Sequence, residues 1–229
     1  MRIIIEFDGP VIDVEPVYWA AYSRVAGELG LARKDRAVFW RLLRRGAGIG
    51  DMLTGAKPRH IQRFREAFPE ALDLDVCLAD GAAREDISGE LRALCAGQHV
   101  LSLVTLGRNA KARQKLLDAN DLSVHFTRMS RLAAEPVLRR AQLQELTEGH
   151  ARVLVAAASE TLVKLGDEAG LFTAGIADGP CAARRLTQAG ARLTFRGFGE
   201  LGNEVATGCR NLIAAGLPPP PNTFDPCSE

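Results

Sequence analysis

The strongest constraint on this chain is a rhythm of short apolar runs and helix-period stretches, broken once by a long segment without a strand. Arg2–Phe7 is apolar and rich in β-branched residues, and it stops at Asp8-Gly9-Pro10, which reads as a strand ending in a turn. Comparable runs recur at Val100–Val104, Val153–Ala157 and Leu171–Ile176, with a weaker one at Arg192–Phe195. Between them, Ala110–Asn120, Glu135–Leu146, Glu160–Ala169 and Cys181–Gln188 carry helical spacing. Such alternation predicts parallel βαβ units. The expected fold class is α/β, a Rossmann-like parallel sheet with helices on both faces. Its ligand site should lie at the carboxyl ends of the strands.

From Asp13 to about Gly97 the pattern is helical throughout, at Val17–Leu29, Arg36–Arg45, Pro58–Phe68 and Ile87–Ala96. Both connections of this insert leave from strand ends, so it should pack over them as an all-α cap. The expected division is a discontinuous core of residues 1–13 and 98–216, a cap of residues 14–97, and a Pro-rich tail of residues 217–229. At 47% hydrophobic and 25% charged residues the chain can bury an ordinary globular core. A net charge of +1 is not that of a nucleic-acid-binding polycation. The N-terminal apolar run is interrupted by Glu6 and Asp8, and no segment approaches 18 apolar residues, so neither export nor a membrane role is expected. Five cysteines without CxxC spacing read as reduced thiols of a cytoplasmic protein, without zinc. His60, His99, His125 and His150 are scattered and suggest neither a metal site nor a triad.

Charge is segregated inside the cap. Residues 33–65 hold ten Lys/Arg and two acids, whereas residues 66–90 hold eight acids and one Arg. In Arg36–Arg45, Val38, Phe39, Leu42 and Leu43 form an apolar stripe with Arg41, Arg44 and Arg45 opposite. That arrangement fits a solvated face, or a surface for an anion or a partner. Trp19 and Trp40, with Tyr18, Tyr22 and Phe39, fit the core of the cap and its seam with the sheet. Gly46-Ala47-Gly48-Ile49-Gly50 follows a helix rather than a strand, so it reads as a turn and not as a phosphate loop.

The first strand closes with Glu6 and Asp8, two carboxylates whose spacing lets both reach one ligand. Here the sequence resembles the haloacid dehalogenase superfamily, in its β-phosphoglucomutase- and phosphatase-like branch with an inserted helical cap. The resemblance rests on Ile3–Glu15 with Pro16-Val17-Tyr18-Trp19, on Val104-Thr105-Leu106-Gly107-Arg108-Asn109, on Val153–Leu162 with Ala169–Thr173, and on Arg185–Leu201. It implies phosphoester hydrolysis through an aspartyl-phosphate, with a second Asp as acid/base, a Thr and a Lys on the phosphoryl oxygens, and carboxylates holding Mg²⁺.

Carried over residue by residue, the resemblance leaves Asp8 at the acid/base position, where it could also simply cap the turn. Thr105, with Leu106 and Gly107, occupies the phosphate- or anion-binding segment. Glu6 replaces the nucleophilic Asp, Ala133 the Lys, and Ala158 and Leu162 the two metal carboxylates. Pro10 removes a backbone N–H from the loop after the first strand. Arg128 or Arg131 could stand in for the Lys from one or two turns away. Glu160 has the wrong spacing for a metal ligand and should face solvent. Two functions follow from this pattern. One is a binding or interaction module that has lost phosphohydrolase catalysis, takes no cofactor, and meets a small anion or a protein partner through the basic cap segment. The alternative is a diverged Mg²⁺-dependent phosphatase or phosphomutase-like hydrolase working with Glu6 and Asp8.

Overall fold

A computed structural model of the chain describes residues 1–220. Strand β1 (Arg2–Glu6) is followed by a short β2 (Ile12–Asp13), and then by helices α1 (Glu15–Glu28), α2 (Arg36–Arg45), α3 (Ile49–Met52), α4 (Pro58–Ala71) and α5 (Asp75–Leu78). The chain returns through β3 (Ala82–Ala83) and α6 (Ile87–Ala96) to β4 (Val100–Thr105). After these come α7 (Ala110–Ala119), β5 (Arg128–Arg131), α8 (Pro136–Thr147), β6 (Val153–Ala157) and α9 (Glu160–Glu168). The last elements are β7 (Phe172–Ile176), α10 (Ala183–Gln188), β8 (Leu193–Phe195), α11 (Phe198–Ala206) and α12 (Arg210–Ala214).

Six strands form one parallel sheet in the order β5-β4-β1-β6-β7-β8. Strand β1 lies inside it, with Arg2 opposite Val100 on one side and Val153 on the other. The chain direction across the sheet reverses around β1, so the ends of β1, β4 and β6 face the crevice where open α/β sheets bind ligands. Period-two alternation splits β1 between the two faces: Ile3 and Ile5 enter one apolar cluster and Ile4 the other.

The cap leaves and rejoins the core through a second, two-stranded sheet that the sequence reading lacked. Ile12 pairs with Ala83 and Asp13 with Ala82, antiparallel. Two residues per strand are too few for apolar alternation to register. Beside this hinge Arg84 donates to the carbonyls of Gly9 and Asp178 and pairs with the Asp178 carboxylate at 3.2 Å. Helix α6 corrects the expected cap of residues 14–97. Its Ile87, Leu91 and Leu94 are buried in the same cluster as Ile3, Ile5, Leu101 and Leu103, so it covers the sheet rather than the cap. Strand β5, Arg-Met-Ser-Arg in sequence, was also missed; it is an edge strand made by backbone pairing to β4 with little apolar signal. Of the expected tail, residues 221–229 lie outside the described part. Among the described residues no helix is long and apolar enough to cross a membrane.

The cap has its own aromatic core. Tyr22 stacks on Phe39 with centroids 4.2 Å apart, and Phe64 stacks on Phe68 at 5.0 Å. The buried Tyr22 hydroxyl donates to the Met52 carbonyl (2.9 Å) and accepts from the Lys34 amide (2.8 Å), tying α1 to the end of α3 and to the segment before α2. Tyr18 and Trp40 meet edge-to-face at 5.9 Å and pack against the sheet's cluster, forming the seam. Replacing Tyr22 by Phe keeps the stack but strands a buried carbonyl and an amide. Urea denaturation of Tyr22→Phe should show a loss of about 1–3 kcal/mol, with no change in the m-value.

Candidate functional site

A cleft of about 230 Å³ opens between sheet and cap, lined among others by Glu6, Asp8, Tyr18, Asp73, Gly107, Arg113 and Ser159. The structure thus places Glu6 and Asp8 in one cleft, with Leu106 and Gly107 in the same lining. The volume falls below the ~300–1,000 Å³ of drug-sized ligand sites and suits a small group only.

Glu6, at the end of β1, is 2% exposed. Its Oε2 accepts from the amides of Ala158 (2.7 Å) and Ser159 (2.9 Å), at the start of α9. Both amides precede the first residue of α9, so no bond within the helix claims them, and the positive end of the helix favours an anion. Ser159 caps the same helix, its Oγ accepting from the Leu162 amide at 3.2 Å. Burial pushes the Glu6 carboxyl up to about 7, against the hydrogen bonds from Ser159 and Ala158, and the Asp8 charge adds to the rise.

Asp8 is held from two sides. Thr105 Oγ1 donates to its Oδ2 (2.9 Å), and Arg113 Nε meets its Oδ1 at 3.2 Å. Thr105 is fully buried, and its oxygen also accepts from the Gly107 amide at 3.0 Å. The expected phosphate hydroxyl is therefore engaged within the protein. Arg113 itself is 4% exposed and reaches across to the cap, where its Nη1 bonds Asp73 Oδ1 at 2.7 Å. Asp73 also accepts from the amides of Arg108 (3.0 Å) and Asn109 (3.3 Å), so a cap carboxylate sits at the entry to α7. Burial alone would lower the Arg113 pKa; the Asp8 charge and the Asp73 hydrogen bond outweigh it and raise the pKa instead. Gly107 has no room for a side chain, since a Cβ there would stand 2.1 Å from the Arg113 Cζ.

The remaining site positions differ from an Mg²⁺-dependent phosphotransfer site. Ala158 is fully buried, and its methyl is wedged between Gly9 and Gly179: a Cβ on either would come within 2.7 Å of it. Gly9 also takes φ +115°, a conformation open mainly to glycine. Leu162 is buried in the apolar cluster behind the sheet. With both acidic positions apolar and Glu6 Oε2 satisfied by amides, these residues do not fit an Mg²⁺ ion. Among the described residues no group of three or more His, Cys, Asp or Glu side chains is placed to hold a metal.

The position of the family's Lys, Ala133, is half-buried, and its amide and carbonyl are bound by Gln142 and Arg139. Arg128 and Arg131 do not replace the Lys: both are exposed, and Arg128 pairs with Glu145 at 3.2 Å. Glu160 does not simply face solvent but pairs with Arg185 at 2.8 Å, which draws its carboxyl below the usual range. Arg185 in turn donates to the Leu43 and Arg44 carbonyls at the end of α2, making a second fastening of cap to core.

The cation of the cleft, Arg113, was not singled out from sequence. Its signal is present, because Arg113 stands four residues before Leu117 on the buried face of α7. Asp73 carries no comparable mark within an acidic stretch.

Two measurements follow. Arg113→Ala leaves two poorly hydrated carboxylates unpaired and should destabilise the protein by about 3–5 kcal/mol in chemical denaturation. For Glu6, a folded-state pKa raised from 4.5 to about 7 means that its contribution is fully present below pH 4.5 and is lost as pH rises through 7. That loss amounts to about 3 kcal/mol. Glu6→Gln should therefore match the parent near pH 4.5 and melt above it at pH 8; a difference independent of pH would contradict this charge state.

No family model and no curated protein matches the sequence. The fold has many counterparts among solved structures. A haloacid dehalogenase-like hydrolase from Streptococcus pneumoniae superposes with a TM-score of 0.69 at 13% identity, over 89% of this chain and 97% of its own. A protein described as a phosphoglycolate phosphatase from Haemophilus somnus gives 0.63 at 15%, over 89% and 97%. One described as a β-phosphoglucomutase from Thermotoga maritima gives 0.58 at 20%, over 94% and 99%. With its parallel sheet and its helical cap inserted after the first strand, the chain has the fold of the haloacid dehalogenase superfamily.

Proposed function

We propose that this chain is a haloacid dehalogenase-fold protein without phosphoester hydrolysis, acting as a binding module. The observation that carries this reading is the engagement of Glu6 Oε2 by the Ala158 and Ser159 amides, where the fold's chemistry needs a free, metal-linked carboxylate. The charge balance of the cleft supports it. One deeply buried cation, Arg113, is shared by Asp8 and Asp73, so little positive potential is left for an incoming phosphate. The Arg108 and Asn109 amides at the entry to α7 already hold Asp73. The basic cap segment is then the better candidate for contact with an anion or a partner.

One observation favours a diverged hydrolase instead. A carboxyl with a pKa near 7, beside a second carboxylate in a cleft, has the properties of a general acid/base. The two readings separate on Mg²⁺-dependent phosphate release from a broad phosphomonoester panel, with Glu6→Gln purified in parallel. The expected result is no difference between the two proteins. Turnover that needs both Mg²⁺ and Glu6 would establish the hydrolase.

A further inference from the structure

The last turns of α2 hold an arrangement that neither the fold nor the cleft requires. Trp40, Arg41, Arg44 and Arg45 wall a concavity of about 320 Å³, with Glu15 and Ala182 completing it. Three arginines within five residues line it. The carboxylate of that lining, Glu15, is paired with Arg36 at 3.1 Å. Among the described residues no ion pair reaches Arg41, Arg44 or Arg45. Arg41 and Arg45 are exposed. Arg44 is not on a solvated face, as its sequence position suggested. It turns inward to the Ala177 carbonyl, and its Nε is buried with no partner among the described residues.

Like charges one turn apart on a helix repel, and Arg41 and Arg45 stand in that relation. The carbonyl end of a helix ordinarily favours cations and disfavours anions. Here that end is already neutralised from the core: Arg185 Nη1 donates to the Leu43 carbonyl at 3.0 Å, and the Ala182 amide to the Arg44 carbonyl at 3.0 Å. Arg41 and Arg45 are thus free of the role that would explain them, and the electrostatic obstacle to an anion is removed.

We propose that this concavity binds a small molecule bearing a diphosphate, or two adjacent phosphates, against the α2 guanidinium groups and the Trp40 ring. Planar guanidinium forks match phosphate oxygens two at a time. Two phosphate groups at about −1.5 to −2 each offset three arginine charges, which a single phosphate does not. The volume lies at the lower end of known ligand sites and exceeds the needs of a lone anion. The inference rests on the reading of the chain as a binding module, and it gives that module a site outside the cleft.

The test is isothermal titration of the full chain with pyrophosphate in Mg²⁺-free buffer at low salt, with orthophosphate release followed in parallel with and without Mg²⁺. Saturable binding is expected in the parent and in Glu6→Gln. In Arg41→Gln/Arg45→Gln, which changes exposed side chains only, affinity should fall at least tenfold at an unchanged melting temperature. Because the chain has two tryptophans, the Trp40 indole N–H resonance should shift during the titration while that of Trp19 stays. No saturable binding, equal affinity in the double variant, or a Trp40 signal that does not move would each overturn the site. Binding lost in Glu6→Gln would place the anion in the cleft and overturn it as well. Mg²⁺-dependent hydrolysis that disappears in Glu6→Gln would instead overturn the reading of the chain as non-catalytic.

Discussion

Arg113 lies almost wholly out of water between two carboxylates that belong to different parts of the molecule. Asp8 follows the central strand of the sheet and Asp73 comes from the cap, and both depend on one guanidinium for charge compensation. A buried cation of this kind is stable only when its partners are held in place. The packing of Gly107 against its face and the Thr105 hydroxyl on Asp8 hold them. The cap is therefore fastened to the sheet by electrostatics at the strand ends, where open α/β sheets bind their ligands. Arg185 at the end of α2 and Arg84 beside the hinge repeat the pattern, each reaching from one unit to backbone carbonyls or carboxylates of the other.

The same economy of polar groups governs the cleft. Glu6 keeps the carboxyl group expected at the end of the first strand, but its Oε2 is taken up by the Ala158 and Ser159 amides just ahead of α9. Ala158 and Leu162 complete the change by filling the acidic positions with methyl and isobutyl groups in dry surroundings. What remains is a site whose donors and acceptors largely satisfy one another.

Much of the sheet was legible in the sequence, because its central strands are buried on both faces and read as continuous apolar runs: Ile3-Ile4-Ile5 and Val153–Ala157 coincide with their strands. The identities at Glu6, Ala133, Ala158 and Leu162 were legible too, since the family pattern fixes where to look. What could not be read was partnership. Helix α6 shows the same periodicity whether its apolar stripe meets the cap or the sheet, and only the fold decides. Arg44 and Glu160 stand where a charged side chain on a helix usually meets solvent, yet each finds a partner on a distant segment. Asp73, in a run of acids, offered nothing to distinguish it. Long-range pairing of polar groups leaves no period in a sequence.

The position of β1 has a consequence for how the protein is made. Its residues are made well before the strands that flank them, which begin at Val100 and Val153. At about 5–20 residues per second, the second neighbour emerges roughly 8–30 s after the first strand. During that interval Ile3, Ile4 and Ile5 lack at least one of the two strands that later enclose them, a condition that invites wrong pairing of strand edges. The aromatic cap lies wholly within the intervening stretch and can assemble on its own short-range contacts, so biosynthesis favours a molecule whose inserted part orders before the domain it interrupts.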